Sequence, residues 1–289
     1  MTISVADAFD RSSDSLARAG IETARLDARL LLERALSLGD YGVLSEPERP
    51  LSEAEQGALR ALMDRRLRRE PMAHILAERG FWKHVFRVSP ATLVPRPDSE
   101  TLIEAVLERC ADRHAPVRTL DLGTGSGCLL LSILDEYPNA TGIGIDRSTA
   151  ALSVAAENAS RLNLSDRARF VAMDWTGALS DALSGCFDVI VCNPPYIPEG
   201  EIDELMPEVS RFEPRGALAG GADGLESYRE LAPGVGVLLS AHGMVAFEIG
   251  AGQGAAVAEI LTDSSMQVIE IKEDLSGCPR CVVARRMPR

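Results

Sequence analysis

Phe187-Asp188-Val189-Ile190-Val191-Cys192-Asn193-Pro194-Pro195-Tyr196 decides how this chain is read, because a β-branched apolar run halts on an Asn-Pro-Pro-Tyr tetrapeptide. Val189, Ile190 and Val191 have the composition of a buried strand. Two consecutive prolines bring no N–H to a ladder, so the strand ends at Asn193. The carboxyl ends of such strands are where open α/β sheets bind ligands. An amide or aniline-like NH2 is flat and a poor nucleophile while its lone pair is delocalised, so it has to be oriented before it reacts. The Asn193 side-chain oxygen and the Pro194 carbonyl are two acceptors on a stiff segment, suited to take both N–H bonds of a planar NH2 and aim its nitrogen at an electrophile. Tyr196 then stands ready to stack on the planar substrate. The plainer alternative is a Pro-Pro turn whose asparagine bonds its own backbone.

The upstream chain weighs against that alternative. Leu120-Asp121-Leu122-Gly123-Thr124-Gly125-Ser126-Gly127 follows a short strand around Val117 and Thr119 and precedes a helix opening near Cys128. This is strand, glycine turn, helix, where missing side chains let a ligand lie against backbone N–H groups. On its own the turn suits dinucleotides equally. A second strand, Thr141 to Ile145, ends at Asp146, where a carboxylate is placed to accept ribose hydroxyls, or else to cap the helix from Ser148. A third, Arg169 to Met173, ends at Asp174-Trp175, with the indole available to stack on adenine and the Asp174 region to receive its amine. No second glycine motif and no catalytic histidine stand ready for a nicotinamide, so S-adenosylmethionine fits these strand ends better than a dinucleotide.

Beyond Tyr196, residues 197–222 are long for a connection, carry Arg211-Phe212-Glu213-Pro214-Arg215-Gly216-Ala217-Leu218, and read as a lid over the substrate. A helix through Tyr228 and Leu231, a strand from Met244 to Ile249, another helix, and strands Val268–Ile271 and Cys281–Ala284 complete an α/β pattern with an antiparallel edge. Before the sheet, the chain reads as helices: a stripe of Val5, Ala8, Phe9 and Leu16; a second helix after Thr23 carrying Ala28, Leu31 and Leu32; and a third behind the capping-box pattern Ser52-Glu53-Ala54-Glu55. Pro71 reads as the end of this bundle, and the run Arg65, Arg66, Arg68, Arg69 most simply as a solvated helix end, with a contact to an acidic partner as the alternative. Phe81 to Val88 has hairpin composition, and Leu93-Val94-Pro95-Arg96-Pro97-Asp98-Ser99-Glu100 is a proline-stiffened segment placed to lie over the cofactor, with Asp98 or Ser99 as alternative helix caps.

Composition sets outer bounds. With 289 residues and 46% hydrophobic content the chain supports a sizeable core, and a net charge of −13 opposes a protein held to nucleic acid by its bulk field. Six scattered cysteines show no disulfide framework and point to the cytoplasm; Cys278-Pro279-Arg280-Cys281 has CxxC spacing but no second ligand pair, so no metal site is expected. An acidic N-terminus without an apolar core opposes a signal peptide, and no run is long enough to span a membrane.

Taken together, LVPRPDSE at 93–100, DLGTGSG at 121–127, Asp146, Asp174-Trp175, NPPY at 193–196 and RFEP with GADGL at 211–214 and 221–225 resemble the HemK/PrmC family of protein-(glutamine-N5) methyltransferases across essentially the whole chain. The resemblance implies a Rossmann-like class I S-adenosylmethionine-dependent methyltransferase domain at 96–289, mostly a parallel seven-stranded sheet with an antiparallel edge strand. It also implies an N-terminal helical bundle at 1–74 for partner recognition and a β-hairpin linker at 75–95. It implies methyl transfer to the glutamine of the Gly-Gly-Gln tripeptide in peptide-chain release factors, with S-adenosylhomocysteine as product, by a monomer that binds neither nucleic acid nor membrane. Family cofactor contacts fall on Gly123, Thr124, Gly125, Ser126, Gly127, Asp146, Trp175 and Asn193. The glutamine site falls on Asn193, Pro194, Pro195 and Tyr196, with Asn193, Pro194 and Tyr196 catalytic. A sister group acting on a ribosomal-protein glutamine and the adenine-N6 nucleic-acid methyltransferases share NPPY, and a non-enzymatic cofactor-binding translation factor is a third alternative; Pro95 to Asp98 favour release factors. His74 and Ala77 stand where the family commonly has Tyr and Gly, and the Cys278/Cys281 pair is unusual for it.

Overall fold

The structure is a computed structural model that describes residues 3–39, 41–175 and 183–287. The chain separates into two compact units, Met1–Ala77 with Met206–Phe212, and Glu78–Leu205 with Glu213–Arg289.

In the first unit, α1 (Val5–Arg18) opens on Ser4, whose hydroxyl accepts the Asp7 N–H at 3.1 Å. Helices α2 (Ala24–Leu36), α3 (Gly42–Ser45), α4 (Glu53–Leu67) and α5 (Met72–Leu76) follow. The capping box at Ser52 and Glu55 forms with both reciprocal bonds. Val5, Leu16, Ala28, Leu31, Leu32, Leu59 and Met63 meet in a shared core, the apolar stripes that the spacing predicts. Two expectations need correcting. Pro71 does not end the helical region: it stands at the N-terminal cap of α5, where a residue with no N–H and a fixed φ is tolerated. Nor is the arginine run simply a solvated end. Arg66 is 5% exposed; its guanidinium donates to Asp27 Oδ2 at 2.7 Å and to Glu208 Oε1 at 2.8 Å, on the short helix α9 (Pro207–Ser210). Arg69 donates to the other oxygen of Glu208 at 3.0 Å. A buried guanidinium survives only when paired, and the two carboxylates supply the pairing.

Ala77 closes α5 at φ +59°, a left-handed position. A glycine would adopt that conformation without the Cβ penalty that Ala77 carries. Ala77→Gly is therefore expected to raise unfolding stability by about 0.5–1 kcal/mol, read as a higher urea midpoint at unchanged m-value.

The second unit begins with the hairpin β1 (Glu78–Phe81) and β2 (His84–Arg87), then α6 (Glu100–Arg109). Strands β3 (Arg118–Leu122), β4 (Thr141–Asp146), β5 (Ala168–Ala172), β6 (Phe187–Cys192), β7 (Leu239–Glu248), β8 (Met266–Glu273) and β9 (Pro279–Arg286) form one sheet in the order β5-β4-β3-β6-β7-β9-β8. All neighbours are parallel except those of β9, which runs antiparallel to both β7 and the outer β8. Helices α7 (Cys128–Glu136), α8 (Thr149–Arg161), α10 (Glu226–Leu238) and α11 (Gly254–Asp263) connect the strands.

Both faces of the sheet are covered. Val189 and Val191 of β6 pack in one layer with Ile103 and Val106 of α6 and Leu130 and Ile133 of α7, while Ile190 and Cys192 pack in the opposite layer with Tyr228 and Leu231 of α10 and Val257 of α11. A strand buried on both sides has no polar face, which is why β6 reads as an unbroken apolar run. Strand order reverses between β3 and β6, and that switch point opens a crevice at their carboxyl ends. Among the described residues no helix is long and apolar enough to cross a membrane.

Candidate active site

Each strand reaching the crevice contributes one piece. After β3 the chain turns through Gly123, Gly125 and Gly127 at φ +76°, +55° and +80°, conformations L side chains rarely adopt, and enters α7. A Cβ on Gly123 would lie 3.5 Å from Trp175 Cζ3, so the indole packs over the turn. A Cβ on Gly127 would come within 3.2 Å of Ala155 Cβ and Leu131 Cδ1; this glycine lets α7 start close against α8.

The turn is braced from beneath by Asp121. Its Oδ2 accepts the Thr124 hydroxyl at 2.7 Å and the Leu130 N–H at 3.3 Å, while Oδ1 has no hydrogen-bond partner among the described residues. Burial pushes this carboxyl up to about 7, against the lowering effect of Thr124 and Leu130. The native state thus holds a proton on Asp121 that the unfolded chain releases at its ordinary value of 3.8. The sign follows: stability from this group is complete below about 4 and is lost as pH rises towards 7. Asp121→Asn is expected to flatten that fall, seen in urea midpoints measured across the same pH range without ligand.

At the end of β4, Asp146 accepts the Gly125 N–H at 3.0 Å through one carboxylate oxygen and the Ser148 N–H at 2.8 Å through the other. Both the glycine turn and the entrance to α8 are fastened to it, while Ser148 itself caps α8 by accepting from Ala151 at 3.2 Å. Each carboxylate oxygen keeps a further lone pair for a ligand.

At the end of β6, the Asn193 Nδ2 donates to Ser99 Oγ at 3.2 Å, and no described residue donates to Asn193 Oδ1 or to the Pro194 carbonyl. The next two carbonyls are occupied: Ser227 Oγ donates to that of Pro195 at 3.0 Å and Gln253 Nε2 to that of Tyr196 at 2.9 Å. Gly220 and Gly224 admit this backbone, since a Cβ on either would fall within 3 Å of it. The tetrapeptide is therefore clamped with its first two acceptors unclaimed. Tyr196 points its hydroxyl at Glu248 Oε1, 3.3 Å away, and burial raises that hydroxyl's pKa. Glu248 is buried at the end of β7, and desolvation pushes its carboxyl up to about 7, opposed by the neighbouring Ser99 hydroxyl and the charge of Arg280.

A cavity of about 300 Å³ brings together Gly123, Thr124, Gly125, Ser126, Asp146, Trp175, Asn193 and Pro195, with Asp174 and Arg147. Gly127, Pro194 and Tyr196 lie outside its lining: the first faces α8, and Tyr196 turns to Glu248. Pro95, Arg96 and Ser99 line the cavity from the proline-stiffened segment, and Pro214, Gly216 and Ala217 from the 197–222 connection. These two walls are tied together by buried Glu213, which accepts from Arg96 at 2.5 Å and from the Val94 N–H at 3.3 Å. Burial raises the Glu213 carboxyl, with Arg96 pulling it back. Ser99 occupies the cap position of α6 without a capping bond, its hydroxyl being taken by Asn193 instead; Asp98 pairs with Arg280 at 3.3 Å.

Sequence reasoning missed Ser99 as the anchor of Asn193, Glu248 as the anchor of Tyr196, and the Arg96–Glu213 tie. The one visible signal was Glu248 itself, a lone acid at the end of an apolar strand. Cys281 is buried in β9 and Cys278 exposed, both as free thiols, and the described residues hold no cluster suited to a metal.

Residues 7–76 match the family model of the PrmC N-terminal domain, and residues 113–220 that of a methyltransferase domain. A release factor glutamine methyltransferase of Rhodospirillum rubrum is 48% identical over 281 residues, covering 96% of this chain and 84% of that protein. Its counterpart in Caulobacter vibrioides is 42% identical over 288 residues, covering 100% and 98%. Among solved structures, the hMettl16 catalytic domain in complex with MAT2A 3′UTR hairpin 1 shares the fold, with a TM-score of 0.56 at 18% identity over 70% of this chain and 74% of that one. The sheet order, the glycine turn after β3 and full-length identity of this degree agree, and the chain belongs to the release factor glutamine methyltransferase family, an enzyme family built on the class I methyltransferase fold.

Proposed function

We propose that this protein methylates the side-chain amide nitrogen of the glutamine in the Gly-Gly-Gln tripeptide of peptide-chain release factors, using S-adenosylmethionine, as a monomer in the cytoplasm. The observation that carries the reading is the arrangement of Asn193: its Nδ2 is engaged by Ser99, which leaves Oδ1 and the adjacent Pro194 carbonyl as two unclaimed acceptors beside the cavity. A primary amide has two N–H bonds in one plane, and two acceptors on one rigid segment match them.

The residues present fit the cofactor. The backbone of Gly123 to Ser126 lines the cavity with no side chain in the way at the glycines, Asp146 offers acceptors for ribose hydroxyls, and Trp175 offers a flat apolar face for adenine. When bound, S-adenosylmethionine supplies an electrophilic methyl group on a sulfonium centre. Asn193 and Pro194 hold the substrate nitrogen in line and stabilise charge developing on it, and no general base is required if the proton leaves after transfer. Tyr196, held by Glu248, fixes the far end of the segment, and the buried Pro195 stiffens it. Gly127 acts indirectly, by setting the close approach of α7 to α8. We assign partner recognition to the helical bundle at 1–74 and the joint to the hairpin region at 75–95, with the methyltransferase at 96–289.

Incubation with labelled S-adenosylmethionine, purified release factor and, separately, DNA and RNA tests the assignment. Release factor gains the mass of one methyl, and a variant with the tripeptide glutamine replaced gains none. Label in nucleic acid, or none in release factor, overturns the reading.

A further inference from the structure

We propose that Glu213 is a positioning residue that clasps residues 213–218 as a strap along the cofactor cavity, so that S-adenosylmethionine and its product exchange only when the clasp opens. The inference rests on the reading of this cavity as the S-adenosylmethionine site. One side of the cavity is built from strand ends, those that carry the glycine turn, Asp146 and Asn193. The walls facing solvent-exposed loops are irregular: Leu93, Pro95 and Arg96 on one segment, Pro214, Gly216 and Ala217 on another. The first of these is fixed, because two prolines, Pro95 and Pro97, limit its backbone and the Pro95 carbonyl accepts from Arg79 Nε of β1 at 3.3 Å.

The second is held at its two ends by different means. At the carboxyl end the backbone is fastened to Ile197, the residue directly after Tyr196: the Leu218 carbonyl accepts the Ile197 N–H at 3.0 Å, and the Gly220 N–H donates to the Ile197 carbonyl at 2.8 Å. Before that, Arg215–Ala217 make a single 3₁₀ turn in which Gly216 lies against Arg147, since a Cβ there would overlap the guanidinium. Arg147 follows Asp146, so the strap runs from the Asp146 side of the cavity to the 93–96 wall. At the amino end one side chain makes the join. Among the described residues, both hydrogen bonds between 93–96 and 213–218 end on Glu213, from the Arg96 guanidinium at 2.5 Å and from the Val94 N–H at 3.3 Å. Each carboxylate oxygen takes one N–H, and the side chain is 1% exposed. A buried carboxylate is costly without its partners, so the clasp has two states, paired and buried or hydrated and released. Release frees the strap from the 93–96 wall while the Ile197 bonds retain its other end.

Association and dissociation of S-adenosylhomocysteine are followed by stopped-flow tryptophan fluorescence, with Trp175 in the cavity lining as the reporter. Glu213→Ala is expected to raise the dissociation rate about tenfold or more and the association rate about threefold or more, so that Kd changes less than the dissociation rate does. Glu213→Gln, which keeps an acceptor oxygen, and Arg96→Met, which leaves the Val94 bond, fall between it and wild type. The Arg96→Met/Glu213→Ala double variant is no faster than Glu213→Ala, because both open one clasp. Without ligand, hydrogen exchange at the Val94 and Ala217 amides quickens in Glu213→Ala while the amides of β3 and β6 stay protected. Both rates within about twofold of wild type would overturn the proposal. So would faster dissociation with unchanged or slower association, the mark of a lost wall contact rather than an opened clasp. If Glu213→Ala does not fold, Glu213→Gln and Arg96→Met decide by the same two rates. Wild-type protein that binds neither S-adenosylmethionine nor S-adenosylhomocysteine removes the reading of the cavity itself, whereas tight binding with unaffected variants removes only this inference.

Discussion

Asn193→Ala is expected to lower the rate of release-factor methylation by about a thousandfold while raising the Kd for S-adenosylmethionine by no more than about threefold. The asymmetry follows from the geometry. The cofactor side of the cavity is formed by the glycine turn, Asp146 and Trp175, on three other strand ends, and these remain when Asn193 is shortened. What disappears is the acceptor proposed to turn the amide plane. Positioning alone is worth roughly 7–11 kcal/mol in well-oriented systems, and losing one of two acceptors forfeits an appreciable part of that. Cofactor binding by calorimetry and single-turnover methyl transfer on purified release factor separate the two quantities. Turnover close to wild type would eliminate Asn193 from the chemistry. A parallel collapse of cofactor binding would assign it to the adenosine side instead.

The contrast between what the sequence discloses and what it hides follows sequence separation. Strand ends at Gly123, Asp146, Trp175 and Asn193 are legible because each is marked locally, by a glycine, an acid or a proline following an apolar run. The partner that orients Asn193 lies 94 positions earlier, at Ser99, where an unremarkable serine before a helix reads equally well as a cap. Glu248 leaves a single local mark, an acid closing an apolar strand, but nothing in that mark says that it will meet Tyr196. The arginines of α4 illustrate the same limit. Their charge predicts solvent, yet Arg66 is buried because Asp27, 39 residues before it, and Glu208, 142 residues after it, arrive to pair with it. The 197–222 connection reads as one loop, but Met206–Phe212 associates with the helical unit while Pro214, Gly216 and Ala217 line the cavity in the other. Periodicity registers which face of an element is apolar; it carries no information on which distant polar group will meet a given side chain.

Asp146→Ala is expected to weaken S-adenosylmethionine binding by about a hundredfold, with kcat at saturating cofactor reduced far less. Two separate losses contribute. The carboxylate's remaining lone pairs would accept ribose hydroxyls, and hydrogen bonds to a charged acceptor are each worth about 1.5–3 kcal/mol. Its occupied lone pairs hold the Gly125 and Ser148 N–H groups at 3.0 and 2.8 Å, so shortening the side chain also frees the glycine turn and the start of α8. Asp146→Asn separates these contributions. One amide oxygen still accepts from Gly125 or Ser148, but the NH2 at the other branch faces a backbone donor, and a hydrogen bond to a neutral oxygen is weaker than one to a carboxylate. The expected order of affinity is wild type, then Asn, then Ala, measured by calorimetric titration, with adenosine competing in the same order. Equal affinities for all three proteins would mean that Asp146 serves only to brace the turn, and the ribose would have to be held by another group lining the cavity.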